Sequence, residues 1–582
     1  MFDSKRCGMV LLVLMSLLIV ASCGGGAGSQ SVQPPPPTGG GGTTPPPNTG
    51  GGGTTNPPPP TQCTAPPPPQ PVSGWVGIPA PSFGIAETAG AANCFVNPAF
   101  VGATDSNNPK GTATQPRLTI PTTLAAGDVC EVQGAITLPS STTITLDGTQ
   151  EAPAIIKGVN NPVLTGAQSQ VNFAGQYFIV EGLKFVNTRI RFAPPGGGDV
   201  HHAVLRKNEL TGWGGSGSTN VIGLNTPGNG SSDVVIYQNE IHDNGSLTGD
   251  GDIHAFKVGG DSLASRVWYL ENNVYRNGGD AIQVGSVTAV EPWPNHIYIG
   301  KNVCHEDREN CVDVKQARDV VISQNTMYGY KESGSAHGEA VVVHDGAQRV
   351  WVINNTIRDS RIGVIGTGMT EDLFILGNVI HDIVHDPVAD ASFTPTSIGT
   401  DGASIHVRGL ADGKTAWIAN NTIYRSDRGI HCADADQACM IQNNVVYGLK
   451  YDSTHYGFAN TASHSASTIS NNLMKSGGAE TRVQIGSTRY TSLAAYTGAF
   501  SKCVGCVEGD PVFVNPAEAD FRLGTGSSAL GAADSQVDAY GMFLARYNVD
   551  IRYDRNGNPR PGTGWDMGAY QTGEGGPPPA CN

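Results

Sequence analysis

The sequence predicts an all-β protein: a single-stranded right-handed parallel β-helix, or β-solenoid, of about ten or more rungs. Short apolar segments followed by asparagine recur through the middle of the 582-residue chain, as in Val352-Ile353-Asn354-Asn355-Thr356-Ile357. Several of these asparagines are 23 residues apart, for example Asn302 and Asn325. No helical periodicity accompanies them, and a β-rich repeat in the low twenties is typical of a solenoid. The handedness follows from the usual crossover of parallel strands.

The chain begins with a pattern typical of export. Lys5 and Arg6 precede the apolar run from Met9 to Val20, which ends at Ala21-Ser22-Cys23-Gly24. We expect residues 1–22 to be a bacterial lipoprotein signal peptide and Cys23 to be lipidated. Residues 23–72 are rich in Gly, Pro and Thr and predict an extended tether. Together these segments predict an outer-membrane lipoprotein that faces the periplasm or the cell surface.

The rest of the chain divides into three segments. Residues 73–170 are expected to form an N-terminal cap and the first rungs, residues 171–506 the β-helix, and residues 507–582 a closing segment. We interpret the repeated asparagine as a structural column, in which each side-chain amide satisfies backbone groups at a turn. The predicted members of this column are Asn208, Asn239, Asn273, Asn302, Asn325, Asn355, Asn378, Asn421, Asn444 and Asn472.

Charge and cysteine content narrow the possible functions. The formal net charge of −15 argues against a nucleic-acid partner, because phosphate recognition usually needs a basic surface. If the substrate is a polyanion, it must be attracted by a local cluster of basic residues, since the protein as a whole is negatively charged. Removal of Cys7 with the signal and use of Cys23 for the lipid leave ten of the 12 cysteines. In an exported chain this even count predicts disulfides, with Cys304 bonded to Cys311 and Cys432 bonded to Cys439. The lone Cys503-Val504-Gly505-Cys506 is interpreted as structural, since zinc would need two further ligands.

A second strand follows each asparagine segment, and these strands can be aligned from a small residue onward. Their second and fourth positions are apolar almost throughout, so the third and fifth positions are expected to face water. The third-position column reads Lys257, Gln283, Asp313, Val342, Ile365, His406 and His431. The fifth-position column reads Gly259, Gly285, Lys315, His344, Thr367, Arg408 and Ala433.

Charged residues on this face suggest a catalytic site for an anionic polysaccharide. Lys315 and His344 take the same outward position on adjacent rungs, so they could act as base and acid. For that role we expect a neighbouring cation to lower the pKa of Lys315. Carboxylates nearby could bind Ca²⁺ through oxygen ligands, and further cations could bind substrate. The predicted metal ligands are Asp313, Glu309, Glu339 and Asp280, and the predicted substrate-binding residues are Lys257, His406 and Arg408.

The rungs from about Val171 to Asn472 resemble the pectate-lyase superfamily of right-handed parallel β-helices. Ala255-Phe256-Lys257-Val258-Gly259-Gly260 is similar to the strand that carries the catalytic lysine in the ninth family of pectate lyases. Val314-Lys315, then Asn325, then Gly338 to Gly346, are similar to the V-K-S, N and R-H-G series of the alginate lyase and chondroitinase-B family. There the lysine is the base, the arginine the acid, and acidic or Asn side chains hold calcium. This chain has no Ser after Lys315 and has Val343-His344-Asp345-Gly346 where Arg-His-Gly would stand.

Three classes of function are compatible with these patterns. The favoured one is a polysaccharide lyase that cleaves a uronate-containing glycan by β-elimination, with Ca²⁺ as a possible cofactor. The second is a non-catalytic carbohydrate-binding or adhesion protein, for which a tether and a regular solenoid suffice. The third is a glycoside hydrolase or an epimerase. In each case we expect a monomer that contacts the membrane only through its lipid anchor.

Overall fold

The computed structural model describes residues 74–572 except 193–197, 216, 218, 225–229, 250, 261, 288–290, 435–436 and 452. All of these belong to one compact unit, Cys63–Asn582. The predicted signal peptide, the lipidation site Cys23 and the tether lie outside the described residues. No described helix is both long enough and apolar enough to cross a membrane.

The chain folds as a right-handed parallel β-helix, which confirms the predicted fold class. Each rung contributes one strand to each of three parallel sheets, and every strand pairs with its counterpart on the next rung, as Val320 does with Val350. The first sheet contains Cys94–Val96, Val129–Val132, Ala154–Gly158, His201–Arg206, Ser232–Tyr237, Ser265–Leu270, Asn295–Gly300, Arg318–Ser323, Gln348–Ile353, Leu373–Leu376, Thr415–Ala419, Ala438–Gln442 and Thr468–Ser470.

The other two sheets follow the first around each rung. The second contains Ala135–Thr137, Glu209–Thr211, Glu240–His242, Asn273–Tyr275, Val303–His305, Thr326–Tyr328, Thr356–Arg358, Val379–His381, Thr422–Tyr424, Val445–Tyr447, Leu473–Lys475 and Val507–Gly509. The third contains Thr123–Ala125, Ser141–Asp147, Thr219–Leu224, Ile253–Val258, Ile282–Val284, Val312–Val314, Glu339–Val343, Ile362–Thr367, Ala403–Arg408, Arg428–Cys432, Thr454–Phe458 and Thr481–Ile485. Two long strands bend from one sheet to another: Val163–Glu181 and Lys184–Phe192.

A few elements lie outside this pattern. Thr488–Tyr490 pairs antiparallel with Thr481–Ile485, and Phe513–Asn515 pairs antiparallel with Asp520–Leu523. The described helices are short: Thr461–Ala466, Leu493–Ala499, Asp538–Tyr547 and the 3-10 turn Pro516–Glu518.

Asparagine side chains form a continuous buried ladder at the turn between the first and second sheets. In each step the Oδ1 atom of one asparagine accepts hydrogen bonds from the backbone N–H and the Nδ2 of the asparagine one rung before it, as between Asn325 and Asn302, at 2.9 Å each. The predicted structural role is therefore confirmed, with one correction: the ladder passes through Asn272, and the prediction of Asn273 was wrong. Only Asn272 stands two residues before the inward-facing Val274, as the repeat requires.

Apolar residues fill the space between the three sheets, and a second apolar cluster covers the outside of the first sheet. The N-terminal segment contributes Trp75 and Ile78 to this outer cluster, and the C-terminal segment contributes Phe543 and Trp565. The indole N–H of Trp268 donates to the backbone oxygen of Pro79 at 2.8 Å. Both ends of the described chain thus cover the first sheet, leaving the third sheet to be shaped by its own connections.

Four disulfides lie within the described residues. Cys304–Cys311 and Cys432–Cys439 are bonded as predicted. Cys503–Cys506 is a disulfide as well, which agrees with a structural role, and Cys94–Cys130 joins adjacent rungs of the first sheet.

Candidate active site

The third sheet carries the two predicted columns in the predicted register. Lys257 pairs with Gln283, Gln283 with Asp313, and Asp313 with Val342. The expectation that the third-position column faces water was wrong for most of its members. Asp313 is only 4% exposed and His406 only 2%, because connections between the sheets rise on both sides of the column or cover it. The third-position side chains therefore form the floor of a depression.

This depression is a cleft of about 310 Å³. It brings together six of the nine residues predicted for catalysis, metal binding or substrate binding: Asp313, Lys315, His344, Glu309, Glu339 and Arg408. The lining runs from Asp252, beside the strand Ile253–Val258, to Arg408 at the end of Ala403–Arg408. These two strands are five rung steps apart, so the cleft extends about 24 Å along the helix axis.

Asp313 is the centre of the cleft. Its Oδ2 atom lies 2.8 Å from the ammonium of Lys315, and its Oδ1 atom lies 2.8 Å from Nε2 of His344. The side-chain amide of Gln283 also donates to Oδ2 at 3.2 Å. One buried carboxylate thus holds the two predicted catalytic residues side by side.

These contacts determine the protonation of all three groups. Burial alone would lower the pKa values of Lys315 and His344, but the Asp313 carboxylate outweighs burial and raises both. Burial would raise the pKa of Asp313, but the hydrogen bond from His344 and the charge of Lys315 hold it far below its usual range. Since Asp345 lies 2.9 Å from Nδ1 of His344, both ring nitrogens face carboxylates. The expected lowering of the pKa of Lys315 was therefore wrong, because its nearest partner is an anion.

Lys257 has the lowered pKa that was expected of Lys315. It belongs to the third-position column, two rungs before Asp313, and is half-buried; it is not among the residues that line the cleft but lies on the strand that follows Asp252, at one end of that lining. Burial lowers its pKa, and the ammonium of Lys315 lowers it further, so that the net pKa is lowered despite nearby carboxylates. A lysine with a lowered pKa supplies a neutral amine more readily than an ordinary one.

Several carboxylates lie on the side of the cleft that adjoins the second sheet. Burial and repulsion by Asp313 raise the pKa of Asp280 to about 8, and burial and repulsion by Asp280 raise that of Glu309 to about 8. Burial also raises the pKa of Glu339, whose Oε2 atom accepts the backbone N–H of His337 at 2.9 Å. Asp280 itself lies behind the cleft lining, where its Oδ1 atom accepts from Asn310 at 2.9 Å.

Within the described residues, one group has the composition of a metal site: Asp252, His254 and Glu309, whose ligand atoms lie within 4.8 Å of one another. Burial lowers the pKa of His254 to about 4, so its imidazole is neutral and can act as a ligand. Arg308 contacts both carboxylates, at 3.1 Å for Glu309. The three residues offer ligands to a divalent cation that displaces the buried Arg308 guanidinium from the two carboxylates, and Nδ1 of His254 already accepts the backbone N–H of Asp280 at 3.1 Å.

The metal group differs in part from the predicted ligands. Glu309 belongs to it, whereas Asp313 already holds two cationic side chains, and Glu339 and Asp280 lie outside the group. His254 was not predicted. It occupies the position before Ala255, outside the aligned segments that define the two columns.

His406 and Arg408 lie on the same strand but in different surroundings. Arg408 is exposed at the end of the cleft, as expected for substrate binding. The Nδ1 atom of His406 lies 3.1 Å from the backbone oxygen of Gly399, beneath the connection that precedes this strand. His406 is therefore shielded from the cleft, and the structure does not support its predicted contact with substrate.

No protein-family profile matches the chain, and no curated protein matches its sequence. Solved structures with similar architecture include several polysaccharide lyases. A mannuronic acid specific family 6 lyase from the human gut microbiota is 12% identical with a TM-score of 0.40, over 68% of this chain and 88% of the lyase. Pectate lyase Pel9A is 14% identical with a TM-score of 0.33, over 83% of this chain and 98% of the lyase.

A third similar structure is the family 6 alginate lyase AlyGC, at 12% identity and a TM-score of 0.35 over 62% of this chain. The present chain spans about half, 51%, of the length of AlyGC. Similarity at this level assigns no residue and no activity. The β-helix architecture itself follows from the strand pairing of this chain.

Proposed function

We propose that the protein is a polysaccharide lyase that cleaves a uronate-containing glycan by β-elimination. The observation that carries the proposal is the cleft in which Asp313 holds Lys315 and His344 and raises the pKa of both, while Lys257, on the same column as Asp313, has a lowered pKa. Although the protein is acidic overall, Lys315, His344 and Arg408 lie along a groove that is as long as a short oligosaccharide. Such a groove suits a polymer with regularly spaced carboxylates.

β-Elimination needs a base for the proton beside the sugar carboxylate, charge neutralisation of the resulting enolate, and a proton donor for the leaving oxygen. We assign the base to Lys257 and the donor to Lys315, which is the nearer of the two protonated groups to Lys257. His344 and Arg408 follow along the helix axis and bind carboxylates of the polymer. This assignment differs from the sequence-based one, in which Lys315 was the base and His344 the acid, because Asp313 raises the pKa of both and so disfavours the neutral amine that a base requires.

A divalent cation fits the same proposal. Asp252, His254 and Glu309 would hold it, and a bound cation would neutralise a substrate carboxylate and so acidify the adjacent proton. Calcium is the cation we propose, since two of the three ligands are carboxylates at the edge of the cleft. The imidazole ligand makes a transition metal the alternative. A thermal shift on addition of Ca²⁺, Mn²⁺ or Zn²⁺ distinguishes them, and the Asp252→Asn variant should lose the shift.

The proposed setting is the bacterial surface or periplasm, where a lipidated Cys23 and the Gly- and Pro-rich tether would keep the β-helix near its polymer. The second candidate is a non-catalytic polysaccharide-binding protein, which the same cleft would serve.

The test is a screen of the soluble protein, beginning at residue 74, against alginate, pectate and glycosaminoglycans, with Ca²⁺ or with a chelator. Cleavage should appear as the near-ultraviolet absorbance of unsaturated ends. Lys257→Ala should lower kcat by 10² to 10⁴, on the order of 3 to 5 kcal/mol of activation free energy, as expected for loss of a general base. Lys110→Ala, at a lysine whose side chain is 47% exposed and which lies far from the cleft in sequence, should match the wild type.

One result would contradict the proposed activity, and another would contradict only the assignment of the base. If no uronate polymer is cleaved under either condition while one binds, the binding protein replaces the lyase. If Lys315→Ala removes activity while Lys257→Ala changes only KM, the lyase stands, but the base is Lys315 as the sequence alone suggested.

A further inference from the structure

One end of the cleft is closed by an unusually long connection between the second and third sheets. On the rung before it, residues 359–361 join Thr356–Arg358 to Ile362–Thr367, and on the rung after it, residues 425–427 join Thr422–Tyr424 to Arg428–Cys432. On the rung between them, residues 382–402 join Val379–His381 to Ala403–Arg408. This 382–402 connection has 21 residues where each of its neighbours has three.

The extra residues fold over the third-position column. The backbone oxygen of Gly399 lies 3.1 Å from Nδ1 of His406 and 3.1 Å from Nδ1 of His431. A Cβ placed on Gly457, the next residue in this column, would lie 3.2 Å from Ile398. The connection therefore covers three successive rungs, starting at the rung where the cleft ends.

Two buried arginines fasten this cover. Arg361, 7% exposed, binds the loop carboxylates Asp390 and Asp401, with Nε 2.9 Å from Asp390 and Nη2 2.9 Å from Asp401. Arg428, 2% exposed, donates to the backbone oxygen of Thr394 at 2.8 Å and to Ser397 at 2.7 Å. Charge-assisted hydrogen bonds of this kind are about twice as strong as neutral ones. The 382–402 connection is thus a fixed part of the folded structure, and we call it the wall of the cleft.

Arg408 stands at the foot of this wall, on the same strand as the covered His406. Its guanidinium makes no ion pair with a carboxylate of the described residues, and it faces the cleft. His344 lies two rungs away along the fifth-position column, a distance of about 10 Å. A polymer that lies along the cleft must end at the wall, where Arg408 is available for a terminal carboxylate.

We propose that the cleft accepts the end of a polysaccharide chain, so that cleavage removes short products of uniform length from that end. The mode of cleavage rests on the proposed lyase function, whereas recognition of a chain end does not. The wall sets the distance between the chain end and the proton donor, and this distance sets the product length. A cleft without the wall would bind internal stretches of the chain.

The test measures both binding and cleavage with polymers of defined mean length. Binding of the Lys257→Ala variant should saturate at one protein per chain whatever the chain length, and wild-type cleavage should raise the absorbance of unsaturated ends while viscosity barely falls. At equal polymer mass, halving the mean chain length should about double the initial rate. Replacement of residues 386–400 by Gly-Ser-Gly should give products of many lengths and an early loss of viscosity, whereas Val388→Ala, at a position 87% exposed on the same connection, should behave as wild type.

Other outcomes separate this inference from the proposed function. Several proteins bound per long chain, or a broad product distribution from the wild type at the outset, would overturn the end-recognition proposal and leave the lyase intact. Binding of one protein per chain without any cleavage would support end recognition and reject the lyase. If the shortened variant does not fold, as judged by its melting curve, the chain-length dependence of the wild type decides alone.

Discussion

Asp313 shows how one residue can organise a site. It is buried, its two carboxylate oxygens each hold one cationic side chain, and both cations face the cleft. The burial cost of the carboxylate is offset by these charge-assisted hydrogen bonds, so the three groups form a unit whose members cannot be changed independently. This coupling is the reason that the protonation of Lys315 differs from what its neighbours in the sequence suggested.

The first prediction concerns this unit. Asp313→Asn keeps the shape of the side chain but removes its charge, so the pKa values of Lys315 and His344 should both fall, since Asp313 is what raises them. The shift of His344 can be followed by NMR titration, and cleavage should weaken because the donor loses its proton at lower pH. Asp345→Asn removes the more exposed partner of His344 and should have a smaller effect. Equal shifts in the two variants would show that Asp313 does not control the site.

A second prediction at this scale concerns acid stability. Burial lowers the pKa of His406 to about 4 and that of His431 to about 3, so both are neutral in the folded protein. The unfolded chain binds their protons at about pH 6.5, so their contribution to stability is complete above that pH and is lost as pH falls toward 4. For His406 the loss is about 3 kcal/mol. Between pH 6.5 and pH 4, the free energy of unfolding measured in urea should fall less for the His406→Asn/His431→Asn double variant than for wild type. The control His337→Asn, on an exposed loop, should lose as much as wild type.

At the scale of the element, the asparagine ladder holds successive rungs in register. Each amide satisfies the backbone of one rung and the side chain of the next, so the turn between the first and second sheets has its buried polar groups paired within the ladder. The sheets alone would leave the strands free to slip by two residues without exposing their apolar faces. The ladder prevents that slip, because each asparagine must meet another.

The third prediction follows from this pairing. Asn325→Ala removes the acceptor for the backbone N–H of Asn302, which leaves that buried donor without its side-chain partner, and it removes the side-chain donor to the backbone oxygen of Ile299. The free energy of unfolding should fall by about 3 kcal/mol, as expected for one buried donor left unpaired together with a lost hydrogen bond. Urea unfolding measures it, with the exposed Asn556→Ala as the control. A loss no larger than that of the control would mean that the ladder does not stabilise the fold.

At the scale of the whole molecule, one face of the solenoid is covered by packing and another carries the candidate site. Segments from both ends of the described chain cover the first sheet, while the third sheet carries the cleft and its wall. A rod built from stacked rungs offers long parallel columns of side chains, which suits a linear polymer better than a compact ligand. The shape of the cleft therefore depends on which rungs carry a long connection between the second and third sheets.

The last prediction concerns the attachment of this rod. If Cys23 is lipidated, the mature protein should fractionate with membranes, and Cys23→Ala should release it or block its processing. Cys7→Ala, a change inside the predicted signal peptide, should leave fractionation unaltered. Membrane fractionation of the Cys23→Ala protein identical to wild type would contradict the lipoprotein prediction.

The sequence by itself determined the parallel β-helix, the register of its strands, the structural role of the asparagines and two of the disulfides, because each depends on a local repeat. The period of two along a strand decides which side chains face the core, and every rung repeats the same choice. The alignment also placed Lys315 and His344 side by side. The one error in the ladder, Asn273 for Asn272, arose where two asparagines are adjacent and the repeat alone must choose between them.

Only the tertiary structure decided what happens on the outward face. Whether an outward side chain meets water depends on connections contributed by other rungs, and nothing in the strand around His406 signals that Gly399 lies over it. The same holds for protonation: the pKa of Lys315 rises because Asp313 lies beside it, while the pKa of Lys257, on the same sheet, falls because Lys257 is half-buried and lies near that ammonium. Burial and charge are sums over neighbours in space, and these are brought together by the folded chain.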